Sequence, residues 1–203
     1  MRYENPYRQT EQAIRALGID EAAYVSGDAK LRIVQILLDS QTLASKKILD
    51  IACGSYDPLT RGAPARWSVV MPPAFLAHAA YDDAIPFGID PGKQAPELLQ
   101  FIGSKGGSIL HMTLEQLHES LLQGGQPPQP LGGNFDVVTS FAFIGENPHP
   151  HIRQAELPRL RNMFWEVSQL LLRDGGVGIL DMPPEQPIHG INRYTMRIKE
   201  ELR

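Results

Sequence analysis

The chain has 203 residues and a mass of 22.5 kDa, enough for one α/β domain with elaborations, and a domain of that size buries about 70% of its unfolded surface. A net charge of −4 and a pI near 5.9 exclude a broad basic field for nucleic acid, and no run of like charges forms a tail. Cys53 is the only cysteine, which rules out an internal disulfide and a cysteine zinc cage.

The amino terminus lacks the apolar core of a signal peptide, and no later segment has the roughly 18 consecutive apolar residues of a membrane span. The expectation is a soluble, cytoplasmic protein. Two helices are predicted first, one from Arg8 to Leu17 closed by Gly18, the other from Ala29 to Leu43. The second carries an apolar face of Leu31, Val34, Ile36, Leu37, Leu38 and Leu43, and residues 1–46 read as a helical cap on a domain spanning 47–203.

The stretch Lys47 to Ser55 is the most informative in the chain. Ile48, Leu49 and Ile51 suit a buried parallel strand, Asp50 places a carboxylate at its end, and Ala52, Cys53 and Gly54 are small enough to let a ligand approach the backbone. A loop from Tyr56 to Met71 follows, then Pro72 and Pro73 opening a helix from Ala74 to Tyr81. Ile85 to Ile89 is the second strand, ending at Asp90.

The Gly-rich turn Gly103 to Gly107 leads into a third strand, Ser108 to Met112, and a short helix from Leu114 to Leu122. After a Pro- and Gly-rich loop, Phe135 to Phe143 is the fourth strand. A helix from Ala155 to Leu172, ended by Asp174-Gly175-Gly176, precedes a fifth strand from Val177 to Leu180, and the tail from Ile191 to Arg203 reads as helical. Alternating strands and helices call for right-handed crossovers and a doubly wound, mostly parallel α/β sheet covered on both faces. Ligands bind such sheets outside the carboxyl ends of the strands, which brings Ala52 to Ser55, Asp90, Met112 and Ser140 to Phe143 around one crevice.

Asp90 either accepts ribose hydroxyls, as acidic residues do in nucleotide-binding folds, or is a helix cap that simply terminates its strand before Pro91-Gly92. A dinucleotide requires Gly-x-Gly-x-x-Gly, whereas this chain offers Ala52, Gly54 and Asp57, and a carboxylate at the third position repels a pyrophosphate. No P-loop sequence is present. An adenosine ligand without phosphates, bearing a positive charge, fits better.

Four segments in order now resemble the motifs of class I S-adenosylmethionine-dependent methyltransferases. They are Ile48 to Ser55, Phe87 to Asp90, Phe135 to Phe141, and Leu171 to Leu180. The resemblance spans about Lys47 to Met182 and implies a Rossmann-like fold with sheet order 3-2-1-4-5 and with S-adenosyl-L-methionine as cofactor. It implies that Asp50 and the turn Ala52, Cys53 and Gly54 hold the methionine portion, that Asp90 binds ribose, that Met112 and Thr113 border adenine, and that Phe141 lines the methyl-donor side. Two departures stand out. Tyr56 replaces a frequent glycine, narrowing the turn or laying a ring over the ligand, and no acidic residue immediately follows the third strand.

Methyl transfer from a sulfonium is an in-line displacement that needs alignment and water exclusion more than covalent chemistry. Glu146, His149 and His151 are the nearest candidates for a general base, although the bland reading is a solvated Pro-rich loop. A third metal ligand of defined spacing is missing there, so no metal is expected. Asn147-Pro148-His149 lies too far past the fourth strand to serve as the Asn-Pro-Pro-aromatic motif of amino-methyltransferases. Arg61, Arg66 and Trp67 are candidates to grip an anionic or aromatic acceptor, and Tyr3 and Tyr7 to close a lid.

The resemblance therefore predicts methyl transfer to a small-molecule acceptor. The rival is a noncatalytic binding or scaffold protein of the same fold. The terminal antiparallel hairpin common in the family is expected to be absent, leaving the fifth strand with an open edge.

Overall fold

A computed structural model describes residues 6–56, 72–141, 143–145, 152–183 and 193–202. Its helices are α1 (Pro6–Arg15), α2 (Glu21–Leu37), α3 (Ala74–Tyr81), α4 (Pro96–Ser104), α5 (Leu114–Gly124) and α6 (Leu157–Leu171). Its strands are β1 (Lys47–Ile51), β2 (Ile85–Ile89), β3 (Ser108–Leu110), β4 (Phe135–Ser140), β5 (Leu172–Leu180) and β6 (Thr195–Ile198). They form one sheet of order β3-β2-β1-β4-β5-β6, in which β1 to β5 run parallel and β6 antiparallel. The expected order 3-2-1-4-5 is the order observed.

Alternation along the strands sorts the core into two layers. Ile48, Val137, Val177 and Ile179 face the side covered by α1 to α4, packing on Ile14, Val34, Phe75 and Ile102. Leu49, Ile51, Val138 and Leu180 face α5 and α6, packing on Leu117, Leu121, Phe164 and Val167. Phe75, Phe135 and Phe164 are almost completely buried, each contributing about 2–3 kcal/mol of transfer free energy.

Several boundaries differ from expectation. The helix expected over Ala29 to Leu43 begins at Glu21, because the Asp20 carboxylate accepts a bond from the Ala23 N–H and caps it there. It ends at Leu37, because the Asp82 carboxylate accepts bonds from the Gln35 amide, the Thr42 hydroxyl and the Leu43 N–H, pulling the chain out of the helical path. Helix α4, between β2 and β3, was not expected; Pro96 opens it and Leu98 and Ile102 bury its inner side. Strand β5 starts at Leu172, five residues early, since Asp174, Gly175 and Gly176 bulge within the pairing with β4 instead of ending it.

The tail is the largest correction. Residues expected to be helical form β6, with Val177 opposite Ile198 and Leu180 opposite Thr195. A single antiparallel strand, where the hairpin common in the family was expected to be absent, therefore covers the edge of β5 that was expected to be open, because the unpaired N–H and C=O groups of a strand are best satisfied by another strand. Only Lys199–Leu202 turn helically, as a short 3-10 segment.

Candidate functional site

β1 ends in a turn that only small residues fit. Ala52 and Gly54 adopt φ of 58° and 99°, and the Cys53 N–H donates to the Ile89 carbonyl at 3.1 Å, tying the turn to β2. The Asp90 carboxylate then joins two turns: Oδ2 accepts from the Gly54 N–H at 3.1 Å and Oδ1 from the Gly92 N–H at 2.8 Å. A side chain at position 92 is impossible, since a Cβ there would lie 2.1 Å from the Ser55 hydroxyl. Asp90 thus joins two turns while also lining a cavity, and it is not the helix cap of the bland alternative, since Ala95 holds the N-cap position of α4.

That cavity, of about 220 Å³, opens at the carboxyl ends of β1, β2, β3 and β4. Ala52, Cys53, Gly54, Asp90, Met112, Thr113 and Phe141 all line it, so seven of the eight residues expected at a cofactor site are brought together. The eighth, Asp50, lies buried beneath the turn, 2% exposed, where Thr139 donates a hydrogen bond of 2.7 Å to its Oδ1. Burial raises its carboxyl to about 7, opposed by Lys30 and the Thr139 hydrogen bond and reinforced by Asp90. The Cys53 thiol is raised well above its ordinary value by burial and the two carboxylates, which removes it as a nucleophile.

Two ionisable groups at the cavity escape the sequence pattern. Lys30 reaches in from α2, its ammonium 5.4 Å from the Phe141 ring centroid. A helix read as starting at Ala29 leaves Lys30 in a frayed first turn, whereas the Asp20 cap, a visible signal, places it mid-helix. Glu115 also lines the cavity. Strand β3 stops at Leu110, and Thr113 and Gln116 form a reciprocal capping box that starts α5 at Leu114, so Glu115 falls in the first helical turn. The Thr113 hydroxyl accepts the Gln116 N–H in that cap, and Glu115 is the first acidic residue after the third strand.

Phe141 is held from two sides by edge-on contacts with Phe75 at 5.2 Å and Tyr194 at 5.8 Å. Tyr194 precedes β6 beside Arg193, whose guanidinium bonds both oxygens of buried Asp181 at 3.0 and 3.4 Å. Tyr56 does not lie over the cavity. Its hydroxyl donates to the Leu17 carbonyl, anchoring the turn to the end of the first helical segment, and burial pushes it up to about 12. A second cavity of about 170 Å³ shares Lys30, Cys53 and Pro72 with the first.

Glu146, His149 and His151 lie outside the described residues, as do Asp57, Arg61, Arg66, Trp67 and Tyr3, and nothing of the Tyr7 side chain is described. Among the described residues, no group of three or more His, Cys, Asp or Glu side chains is placed to hold a metal. No helix among them is long and apolar enough to cross a membrane.

No protein-family model matches the sequence, and no curated protein matches it. Solved structures with similarity include a TehB-like SAM-dependent methyltransferase from Corynebacterium glutamicum, at 15% identity and a TM-score of 0.40, covering 86% of this chain and 70% of that one. Magnesium protoporphyrin IX methyltransferase from Synechocystis aligns at 14% identity and a TM-score of 0.43, over 87% of this chain and 64% of that one. An amino pentose methyltransferase from Micromonospora echinaspora aligns at 16% identity and a TM-score of 0.42, over 92% of this chain and 60% of that one. The chain thus spans less than two thirds of the latter two proteins. The fold is a Rossmann-like, doubly wound sheet. Its strand order, β3-β2-β1-β4-β5-β6 with an antiparallel strand beside β5, carries that assignment.

Proposed function

We propose that the chain binds S-adenosyl-L-methionine and transfers its methyl group to a small-molecule acceptor. The observation that carries the reading is the convergence on one cavity of the Ala52 to Gly54 turn, Asp90 and the β3–α5 junction. The residues fit this cofactor. A sulfonium is compatible with the carboxylates of Asp90 and Glu115, which would repel a pyrophosphate, and the adjoining cavity gives room for an elongated ligand.

In this reading Asp90 takes the ribose hydroxyls. Met112 and Leu114 sandwich the adenine edge with Glu115 as a hydrogen-bond acceptor. Lys30 pairs with the methionine carboxylate, so that α2 acts as part of a cap formed by residues 1–46. Phe141 and Phe143 form the dry wall beside the reacting carbon, excluding water from an in-line displacement. When bound, the cofactor supplies an electrophilic methyl group. The protein's part is alignment, and removal of a proton from a hydroxyl or amine acceptor falls to Glu146, His149 or His151.

A binding protein of the same fold that transfers nothing is the second reading. It is favoured by the described cavity wall, whose ionisable groups are Lys30, Cys53, Asp90 and Glu115, with no histidine and with Cys53 held as the thiol. Calorimetry with S-adenosylmethionine, S-adenosylhomocysteine and a nicotinamide dinucleotide separates the cases. Binding of the sulfur ligands alone is expected, and failure of both to bind a folded sample would sink the proposal. Binding without turnover on any acceptor would select the second reading. Asp90→Ala is expected to raise the dissociation constant at least about tenfold, the loss of one charge-assisted hydrogen bond pair.

A further inference from the structure

The alternation that packs Ile48 and Val137 toward α2 and α3 sends Asp50 and Thr139 to the same face. Asp50 is therefore enclosed on every side. From β4, Thr139 donates its hydroxyl at 2.7 Å; from β2 comes Asp90, from the turn the Cys53 thiol, and from α2 the Lys30 ammonium. Thr139 is the one hydrogen-bond partner of this carboxyl among the described residues, and Asp50 has no ion pair there. Cys53, Asp90 and Lys30, which surround it, all line the cavity.

Such a carboxyl has poor means of holding a charge by itself. Taking it from water is costly, its hydroxyl partner is neutral, and the Asp90 carboxylate opposes ionisation. Its charge depends on what else is nearby. The ligands assigned above to this cavity differ in one respect that matters here: the donor is a sulfonium cation and the demethylated product a neutral thioether.

Resting on that assignment, we propose that Asp50 is the residue that discriminates donor from product by charge: the cationic donor is taken up with release of a proton from Asp50, and the neutral product is not. The proton passes to solvent when the donor binds. Once the methyl leaves, the site loses the cation that held Asp50 ionised, the carboxyl takes a proton back, and the product is held less tightly. The carboxyl is already raised to about 7, so this exchange falls at neutral pH. Lys30 opposes the effect to the extent that a ligand carboxylate draws its charge away, but donor and product carry the same carboxylate. The difference between them isolates the sulfonium.

The test is calorimetric titration of the full chain with S-adenosylmethionine and with S-adenosylhomocysteine, in buffers of differing ionisation enthalpy, at about pH 6 and about pH 8. Near pH 6 the donor is expected to release close to one proton more than the product, and near pH 8 close to none more. The donor dissociation constant is expected to fall about tenfold between those pH values, while that of the product changes little. Asp50→Asn, which keeps the shape and the Thr139 hydrogen bond, is expected to flatten the donor's pH dependence and to narrow the preference for donor over product. Equal proton release by the two ligands in the unaltered protein would overturn the proposal, as would a donor linkage that survives in Asp50→Asn. If neither ligand binds, the assignment of the cavity falls first, which is a separate outcome. The buffer comparison needs no variant and decides even if Asp50→Asn folds poorly.

Discussion

Asp50 shows how one side chain can be unfavourable for folding and still suit the site. Its carboxyl titrates near 7 in the folded chain, against an ordinary value of 3.8. The folded state therefore binds its proton more tightly than the unfolded chain does. Stability from this residue is complete below about pH 4 and is lost as the pH rises through 7, a loss of order 4 kcal/mol once Asp50 is ionised. Asp50→Asn should accordingly raise stability by about 2–4 kcal/mol at pH 8 and change it little at pH 4, as read by urea denaturation. An equal effect at both pH values would mean that desolvation of the charge is not the cause. The small-residue turn and both aspartates are legible from sequence because bulk and charge at a strand end are local properties. Lys30 and Glu115 are not, because each depends on where a helix begins, and a shift of one residue turns a side chain by about 100°.

At the scale of elements, β6 carries the greatest consequence. Its sequence, Thr195-Met196-Arg197-Ile198, is short and flanked by charge, with no strong periodicity to distinguish strand from helix. What decides the matter is the waiting edge of β5 together with the anchor between Arg193 and Asp181. Asp181 is 3% exposed, so removing its partner strands a carboxylate in the protein. Arg193→Ala is expected to cost about 1–2 kcal/mol, reduced from the value for a fully buried pair because the arginine is half-exposed, and to lower donor affinity by releasing Tyr194 from Phe141. Unchanged melting temperature and affinity would leave β6 without that positioning role. Helix α4 is another element that the sequence left indistinct, since Gly103 and Gly107 draw attention to the turn that follows it instead of the apolar Leu98 and Ile102 within it.

Across the whole molecule, the helical layer must sit close enough to the sheet for Lys30 to reach the cavity. Gly27, one turn before Lys30, sets that spacing: a Cβ there would lie 2.7 Å from the Ala74 backbone carbonyl carbon and 2.7 Å from the His78 ring. His78 is itself fixed, its Nε2 lying 3.0 Å from the Tyr24 carbonyl. In an exposed helix, glycine to alanine stabilises by about 0.5–1 kcal/mol, but here the neighbour is backbone and the helix must move. Gly27→Ala is expected to destabilise by about 1–2 kcal/mol and to weaken donor binding, whereas a stabilised variant would show that the layers have slack. The sequence by itself determined the mostly parallel sheet, the two-faced core and the acidic small-residue turn, because strand alternation, crossover handedness and side-chain bulk are set by neighbours in the chain. The order 3-2-1-4-5 came from the resemblance of four ordered segments to a known family. Only the tertiary structure decided that β6 closes the sheet, that Asp90 staples two turns, and that Lys30 and Glu115 join the cavity. Each of these depends on partners distant in sequence, whose approach is fixed by packing and hydrogen-bond satisfaction in three dimensions.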